Sequence, residues 1–526
     1  MLFSPLPQLF RRTTPQVRFH SILFEQLSDG GDVDVRDTPS CFRDLNLDQV
    51  LESMLDGREE YRLEAFFYSP LTTAASVLYR HETLQDLEKK EVFDTVADFS
   101  RRMRGVRAHL SRVAKLHHRY ERERWFLDAA EAYVTAVSTL KEELTLRDVD
   151  SRALVGLRGY LETYVDSPDF STFVADTQKV KDNLASVVYR VHIRGSRVEV
   201  SPYGGEPDYT PEVEQTFAKF RQGDVDDYRV HFVDRAGMNH IEARILDLVV
   251  RLNPGVFSTL DDYCARYESF LDDTVVRFER EVQFYLAYLE FIERFKTAGL
   301  PFCYPQVSSR SKDIHVHEAF DVALANTLVP GKKVVCNDFR LEGTERILVV
   351  TGANQGGKTT FARMFGQLHY LASLGYPVPG SEARLFLPDR ILTHFEREED
   401  IETLQGRLES DLVRIRDVLQ RATSSSVVIM NELFNSTTVK DALVLVAAVM
   451  SQIIELDLLG VCVTFLDEIA SLGESTVSMV SMVDAEDPSV RTYKVVRRPA
   501  DGRAYAVALA AKYGLTYPQL KGHVTS

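Results

Sequence analysis

The chain is short of the features that mark secreted, membrane-bound or broadly nucleic-acid-coating proteins. Its five cysteines, Cys41, Cys264, Cys303, Cys336 and Cys462, are odd in number, far apart and without a C-x-x-C pair, which fits reduced thiols in a cytoplasmic protein. Long uncharged apolar runs are also missing. Met1 to Phe19 carries Arg11, Arg12 and Arg18 and no apolar segment of signal-peptide length. The most apolar later stretch, Ala442 to Leu466, is interrupted by Ser451, Gln452, Glu455 and Asp457, so no membrane role is expected. Positive charge is scarce: 62 Lys and Arg stand against 78 Asp and Glu, a net charge of −16. A phosphate backbone would therefore have to be met by locally concentrated basic residues.

What is present divides by its period. At 526 residues the chain is long enough for three or four units of about 150 residues, fewer if one long helical unit absorbs two. Residues 20 to 60 mix short apolar pieces with the loop Ser28-Asp29-Gly30-Gly31-Asp32-Val33-Asp34. From Leu63 to about Val180, apolar residues recur at three- and four-residue steps, the spacing of long helices. Ser186 to Val200 changes to two β-rich runs about Arg194-Gly195-Ser196, a hairpin that either reaches a partner or is a structural ornament. Helical spacing returns from His240 to Thr297. There Tyr263, Tyr267, Phe270, Phe278, Phe284, Tyr288, Phe291 and Phe295 read as packing residues. After residue 300, short strands give way to alternating strands and helices, the signature of an α/β nucleotide-binding unit.

The most specific stretch lies in that last part. The apolar run Ile347-Leu348-Val349-Val350 leads into Thr351-Gly352-Ala353-Asn354-Gln355-Gly356-Gly357-Lys358-Thr359-Thr360, and helical spacing follows from Phe361 to Leu374. Strand, glycine-rich loop and helix in that order form a phosphate-binding loop in its required setting. Glycine permits positive φ and close backbone approach, so successive N–H groups and the helix N-terminus can point at phosphate oxygens. Lys358 would reach the β- and γ-phosphates, and Thr359 would place its hydroxyl on Mg²⁺. A second apolar run, Val427-Val428-Ile429-Met430, ends in Asn431-Glu432. A strand of this kind in nucleoside triphosphatases carries a carboxylate for the Mg²⁺ water shell and then one that orients the attacking water. Glu432 fits the second role, and Asn431 holds the first place without its charge. At 4 Å that missing charge is about 1 kcal/mol in water and about 4 kcal/mol at an effective dielectric of 20, so Mg²⁺ binding should weaken before nucleotide binding is lost. Elsewhere, Arg101, Arg102, Arg104, Arg107, Arg112, Lys115, Arg119, Arg122 and Arg124 make one locally basic stretch. It suits either a phosphate-backbone contact or a solvated face interleaved with Glu121 and Glu123.

From about Asn337 to Tyr517 these residues together resemble the ATPase domain of the MutS family of DNA mismatch-repair proteins. The family's loop has the Thr-Gly-x-Asn-x-Gly-Gly-Lys order found at 351–358. Leu374-Gly375-Tyr376-Pro377-Val378-Pro379 is similar to the turn after its loop helix. Asp400, Gly406-Arg407, Thr437, Asp441 and Ala504-Tyr505-Ala506-Val507 extend the likeness. Pro70-Leu71-Thr72 and Arg80-His81-Glu82-Thr83-Leu84-Gln85 resemble the family's lever region more distantly. Three departures stand out: Asn431 in place of Asp, Leu408-Glu409 in place of Ser-Thr after Gly-Arg, and Phe465 where the family has a site histidine. They put fast hydrolysis and the usual signalling between sites in question. About 300 residues precede the ATPase part, which the resemblance implies is too few for mismatch-recognition and connector domains, and no Phe-x-Glu wedge occurs near the N-terminus.

The expectation is then an α+α/β multidomain chain: an N-terminal segment over 1–50, a helical lever-like domain over 51–300 with the hairpin near 186–203, and an ABC-like P-loop ATPase domain over 301–526. It would use ATP and Mg²⁺. Gly352 to Gly357 would cradle phosphate, with Thr360 behind them. Lys358 and Glu432 would act in catalysis, and Thr359 and Asn431 at the metal. The resemblance implies a homodimer through the ATPase domains that holds double-stranded or branched DNA by its helices, with Arg101, Arg104, Arg112, Lys115 and Arg119 as contacts. The other reading is an ATP-gated protein-interaction scaffold with weak ATPase activity and no nucleic-acid binding.

Overall fold

The computed structural model describes residues 19–26, 37–195, 197–205, 207, 212, 215, 237–396, 406–484, 486, 487 and 490–500. The loop at 28–34, Asp400 and the Ala504–Val507 motif lie outside them. The chain forms two compact units that its course crosses more than once. One holds His20–Lys89, Asp150–Leu154 and the chain from Arg280 onward; the other holds Phe19, Lys90–Val149 and Val155–Glu279. Residues 20–89 group with the sheet-bearing unit instead of the helical one.

The reason lies in helix α1, Ala74–Leu87, where Thr73 caps the N-terminus by accepting from the Ser76 N–H at 3.1 Å. Arg80 on this helix is wholly buried. Its Nε donates to the Leu23 carbonyl at 3.1 Å and its Nη1 to the Leu374 carbonyl at 2.8 Å, and its guanidinium lies over the Phe24 and Phe284 rings. Gly375, at φ +75°, must be glycine: a Cβ there would meet the Arg80 Cβ at 2.7 Å. Two motifs 290 residues apart thus pack on each other.

In the helical unit, α2 (Lys90–Lys115) and α3 (Arg119–Leu146) form a hairpin of helices. The buried residues of α2, Val92, Val96, Phe99, Met103 and Val106, alternate steps of four and three. On α3, Leu127, Ala130, Tyr133, Val137, Leu140 and Leu144 recur at steps of three or four. Helices α4 (Arg152–Val165), α5 (Pro168–Ala185), α6 (His240–Leu252) and α7 (Pro254–Arg266) complete the bundle. Between α5 and α6 the hairpin strands β1 (Tyr189–Arg194) and β2 (Arg197–Pro202) pair antiparallel. Helix α8 (Asp273–Thr297) runs from one unit into the other. Its aromatic residues are buried, each worth roughly 2–3 kcal/mol of transfer free energy. Tyr288, for example, stacks on Tyr376 with ring centroids 3.8 Å apart.

The sheet unit holds a four-stranded sheet in the order β4 (Gln306–Ser308), β9 (Glu382–Phe386), β5 (Ile314–Ala319), β6 (Asn337–Leu341). A two-stranded pair, β3 (Phe302–Cys303) with β8 (Val378–Pro379), lies in the same unit. The larger sheet has six strands, β10 (Ile391–His394), β11 (Val427–Asn431), β12 (Leu459–Val463), β7 (Ile347–Gly352), β13 (Thr476–Val483) and β14 (Arg491–Arg497). The first five are parallel and β14 is antiparallel to β13. Strands β7, β11 and β12 are almost unbroken apolar runs because both faces are covered. Helices α10 (Arg407–Arg421) and α11 (Val439–Glu455) contribute Ile415, Val418, Val446, Met450 and Ile453 to one core with Val349, Val428 and Cys462. Helix α9 (Lys358–Ser373) is buried along nearly its whole length.

Two histidines in this unit are buried neutral. His369 donates from Nδ1 to the Phe365 carbonyl at 2.8 Å, and burial pushes its pKa down to about 4. Burial does the same to His81, also to about 4. Unfolded histidine takes up a proton below about 6.5, whereas these do so only near 4, so between those values the unfolded chain binds more protons. Their contribution to stability is complete above about pH 6.5 and is lost as pH falls through that window. Urea unfolding at pH 5 should show about 2 kcal/mol less stability per histidine than at pH 7.5, and replacing His369 by Gln should flatten the difference.

Candidate functional site

The register of the parallel strands sets the site. Val350 pairs with Val463 across β7 and β12, and Val463 pairs with Asn431 across β12 and β11, so β11 and β12 end level and β7 runs on to Gly352. The strand order turns about β7, with β12 on one side and β13 on the other. In open α/β sheets that crevice beyond the carboxyl ends is where ligands settle.

Strand β7 runs out at Gly352, φ +102°, and α9 begins at Lys358 after Gly357, φ +91°. The turn between them is tight. A Cβ on Gly356 would fall 2.1 Å from the Ser481 Oγ, and one on Gly352 2.7 Å from the Ser481 carbonyl oxygen. Only glycine leaves room for β13 to approach, and the buried Ser481 hydroxyl donates to the Gly356 carbonyl at 2.8 Å. Ala353 is buried, Asn354 and Gln355 are exposed, and Thr360 is half-buried.

Lys358 is only 4% exposed. Its Nζ donates to the Gly352 carbonyl (3.0 Å), the Ala353 carbonyl (3.3 Å) and the Asn354 Oδ1 (3.0 Å). Among the described residues it makes no salt bridge. Burial pulls its pKa down, the Glu432 carboxylate opposes that, and Arg491 adds to it. The Thr359 hydroxyl donates to the Asn431 Oδ1 at 2.9 Å across to β11. Glu432, the residue after β11, stands at φ +54°, donates its N–H to the Val463 carbonyl at 2.9 Å and accepts from the Asn435 Nδ2 at 3.0 Å. The Thr359–Asn431 bond and the Glu432 charge felt at Lys358 thus bring the start of α9 and the end of β11 together. Four residues other than glycine hold positive φ here, Gln355, Glu432, Phe434 and Tyr493, and strain of this kind gathers where the surroundings dictate a geometry.

The residues fit a nucleotide with its metal. A buried ammonium bonded only to neutral oxygens calls for an anion, and the loop's glycine-only approach leaves its backbone as the lining. Among the described residues no three His, Cys, Asp or Glu side chains are grouped to hold a metal ion. A hydroxyl, an amide oxygen and one carboxylate suit a Mg²⁺ whose remaining ligands are phosphate and water.

Three contributors to the site escaped sequence reasoning. Ser481 reaches the loop from β13, and Arg491 on β14 donates from Nε to the Asn354 carbonyl at 3.0 Å. Tyr493 stands beside Gly357. No local motif marks them; only the strand order brings them to the loop. The basic stretch belongs to the helical unit, on α2 and at the start of α3. Arg101 is paired with Asp98 at 2.8 Å, and Arg119 with Glu123 at 2.9 Å and Asp261 at 2.6 Å. Arg112 lies 4.1 Å over the Trp125 ring, while Arg104 and Lys115 are exposed.

Parallel strands, a glycine-rich turn, a buried lysine and a strand-end carboxylate define an α/β domain. Residues 348–520 match the family model MutS domain V. A DNA mismatch repair protein MutS from Shouchella clausii is 29% identical over 212 residues, 38% of this chain and 24% of that protein. Endonuclease MutS2 from Thermus thermophilus is 30% identical over 189 residues, 36% of this chain and 25% of that protein. A MutS from Lawsonia intracellularis is 31% identical over 193 residues, 35% and 22% of the two. Over residues 348–520 the chain is thus similar to the MutS family. It spans about a quarter of the length of these curated relatives.

Proposed function

We propose that the chain is a Mg²⁺-dependent ATPase of the MutS type that works as a homodimer through its ATPase domains. In this reading, nucleotide state moves its helical arms on double-stranded or branched DNA in the cytoplasm, without intercalation at a mismatch. The observation that carries the nucleotide part is the buried Lys358 ammonium, which has three neutral oxygen partners and, among the described residues, no carboxylate bonded to it. The loop N–H groups from Gly352 to Gly357 bind phosphate and Lys358 clamps its far end. Thr359 and Asn431 hold the metal side, and Glu432 orients a water and accepts its proton. Bound Mg²⁺ would supply charge neutralisation to the phosphates. With Asn431 in place of a carboxylate, turnover is slow.

The second reading, a nucleotide-gated protein scaffold, draws on the net charge of −16 and on the pairing of Arg101 and Arg119 with acidic neighbours. No helix among the described residues is long and apolar enough to cross a membrane. ATP turnover of the full chain, with and without duplex or branched DNA, tests both readings beside Glu432→Gln. The variant should lose about a hundredfold in kcat with KM within about threefold, and DNA should change turnover in a salt-sensitive way. Equal turnover in the two proteins would remove the role of Glu432. Turnover indifferent to DNA at low salt would leave the scaffold.

A further inference from the structure

We propose that Arg491 is a second cation of the nucleotide site, anchored to the loop through Asn354 and lending its charge to the terminal phosphates beside Lys358. The inference rests on the phosphate-loop reading above and adds to it a residue outside the loop, the acidic strand and the family motifs.

Sheet topology places it there. An antiparallel strand starts where its parallel neighbours end, so the first residue of β14 falls at the carboxyl edge of the sheet, level with the loop. Arg491 is that residue. Its Nε donates to the Asn354 carbonyl at 3.0 Å, and two residues on, Tyr493 lies against Gly357 at the N-terminus of α9. The strand is held in place. Asn337, buried on β6, accepts from the Val495 N–H at 2.8 Å and donates from Nδ2 to the Tyr493 carbonyl at 3.3 Å. Tyr493 at φ +58° carries a strain of about 1 kcal/mol or more that only such over-determined surroundings maintain.

The Arg491 charge also reaches the Lys358 ammonium, whose pKa it helps to lower. A triphosphate carries more negative charge than a diphosphate, so with Asn431 instead of a carboxylate on the metal side it gains more from a second cation beside Lys358. The guanidinium therefore does more than brace the Asn354 carbonyl: it biases the site toward the more highly charged nucleotide.

Calorimetric titration of MgATP and MgADP into the full chain tests this with Arg491→Gln, Arg491→Lys and Lys358→Ala, at low and high salt. Glutamine keeps an amide donor for the Asn354 carbonyl but has no charge. Arg491→Gln should weaken ATP binding by about tenfold and ADP binding by less, and should flatten the salt dependence, with Arg491→Lys recovering most of the loss. The charge role is overturned if Arg491→Gln binds ATP within about twofold of the parent, or if ATP and ADP weaken equally and lysine is no better than glutamine. Lys358→Ala separates the two levels. Parent-like ATP binding by that variant removes the phosphate-loop reading itself. Its loss alongside parent-like binding by Arg491→Gln removes only the inference about Arg491.

Discussion

Lys358→Ala should weaken ATP binding by about a hundredfold or more and leave the sheet unit folded. Removing a desolvated charge that faces an anion typically takes away 2–5 kcal/mol of binding, much of it from the partner charge left behind. In the free protein the balance differs. The ammonium is buried without a carboxylate and its pKa is depressed by that burial, so holding it charged already works against folding. The three oxygens it leaves, on Gly352, Ala353 and Asn354, belong to a turn in which Asn354 and Gln355 are exposed, where water can take its place. Thermal unfolding should therefore shift by no more than about 4 °C. Loss of affinity together with collapse of the fold would mean that Lys358 is chiefly a structural brace.

The largest stability effect should come from Gly460→Ala. Gly460 sits on β12 between β11 and β7, paired with Val428 on one side and Ile347 on the other. A Cβ added there would fall 2.2 Å from the Val428 carbonyl oxygen and 2.7 Å from its Cγ1. The carbonyl belongs to the centre of the parallel sheet and cannot turn aside as a side chain could, so the strands must separate. Gly366→Ala on α9 is the instructive contrast, because its new Cβ would meet the ends of the Leu45 and Ile429 side chains. Overpacking of the second kind costs about 1–3 kcal/mol, and Gly460→Ala should exceed it, at about 4 kcal/mol or more. Urea unfolding of the two variants measures the difference. A Gly460→Ala protein as stable as Gly366→Ala would show that β11 and β12 are not packed as described. The register of Asn431 against Val463 would be in doubt with them.

The parts of the site that were legible in the sequence are those made locally. A strand, its glycine turn and the helix that follows lie within thirty residues, and each carries its own signal: the run Ile347–Val350, the glycines, and the apolar spacing from Phe361. Asn431 and Glu432 were legible for a related reason, since a buried parallel strand is a short apolar run and its end is where polar side chains begin. Contacts that only the order of strands creates were not legible. Ser481, Arg491 and Tyr493 belong to β13 and β14, and nothing about a serine on β13 or an arginine on the edge strand β14 says that it meets a loop more than 120 residues earlier. The grouping of residues 51–89 with the sheet unit was hidden for the same reason. Helical spacing in α1 is identical whether the helix joins a bundle or a sheet unit, and the deciding partner of Arg80, the Leu374 carbonyl, is remote. The positive φ at Glu432 was likewise invisible, because the residue carries no preference for it.

The central claim is that backbone amides of the turn ending at Lys358 grip a triphosphate. Amide hydrogen exchange of the full chain with MgATP and with AMP tests it most directly. MgATP should slow exchange about tenfold or more in peptides covering 351–360 and, more weakly, in those covering 429–435, while AMP leaves both unchanged. Unaltered exchange at 351–360 in saturating MgATP, or protection that appears only elsewhere in the chain, would contradict the account.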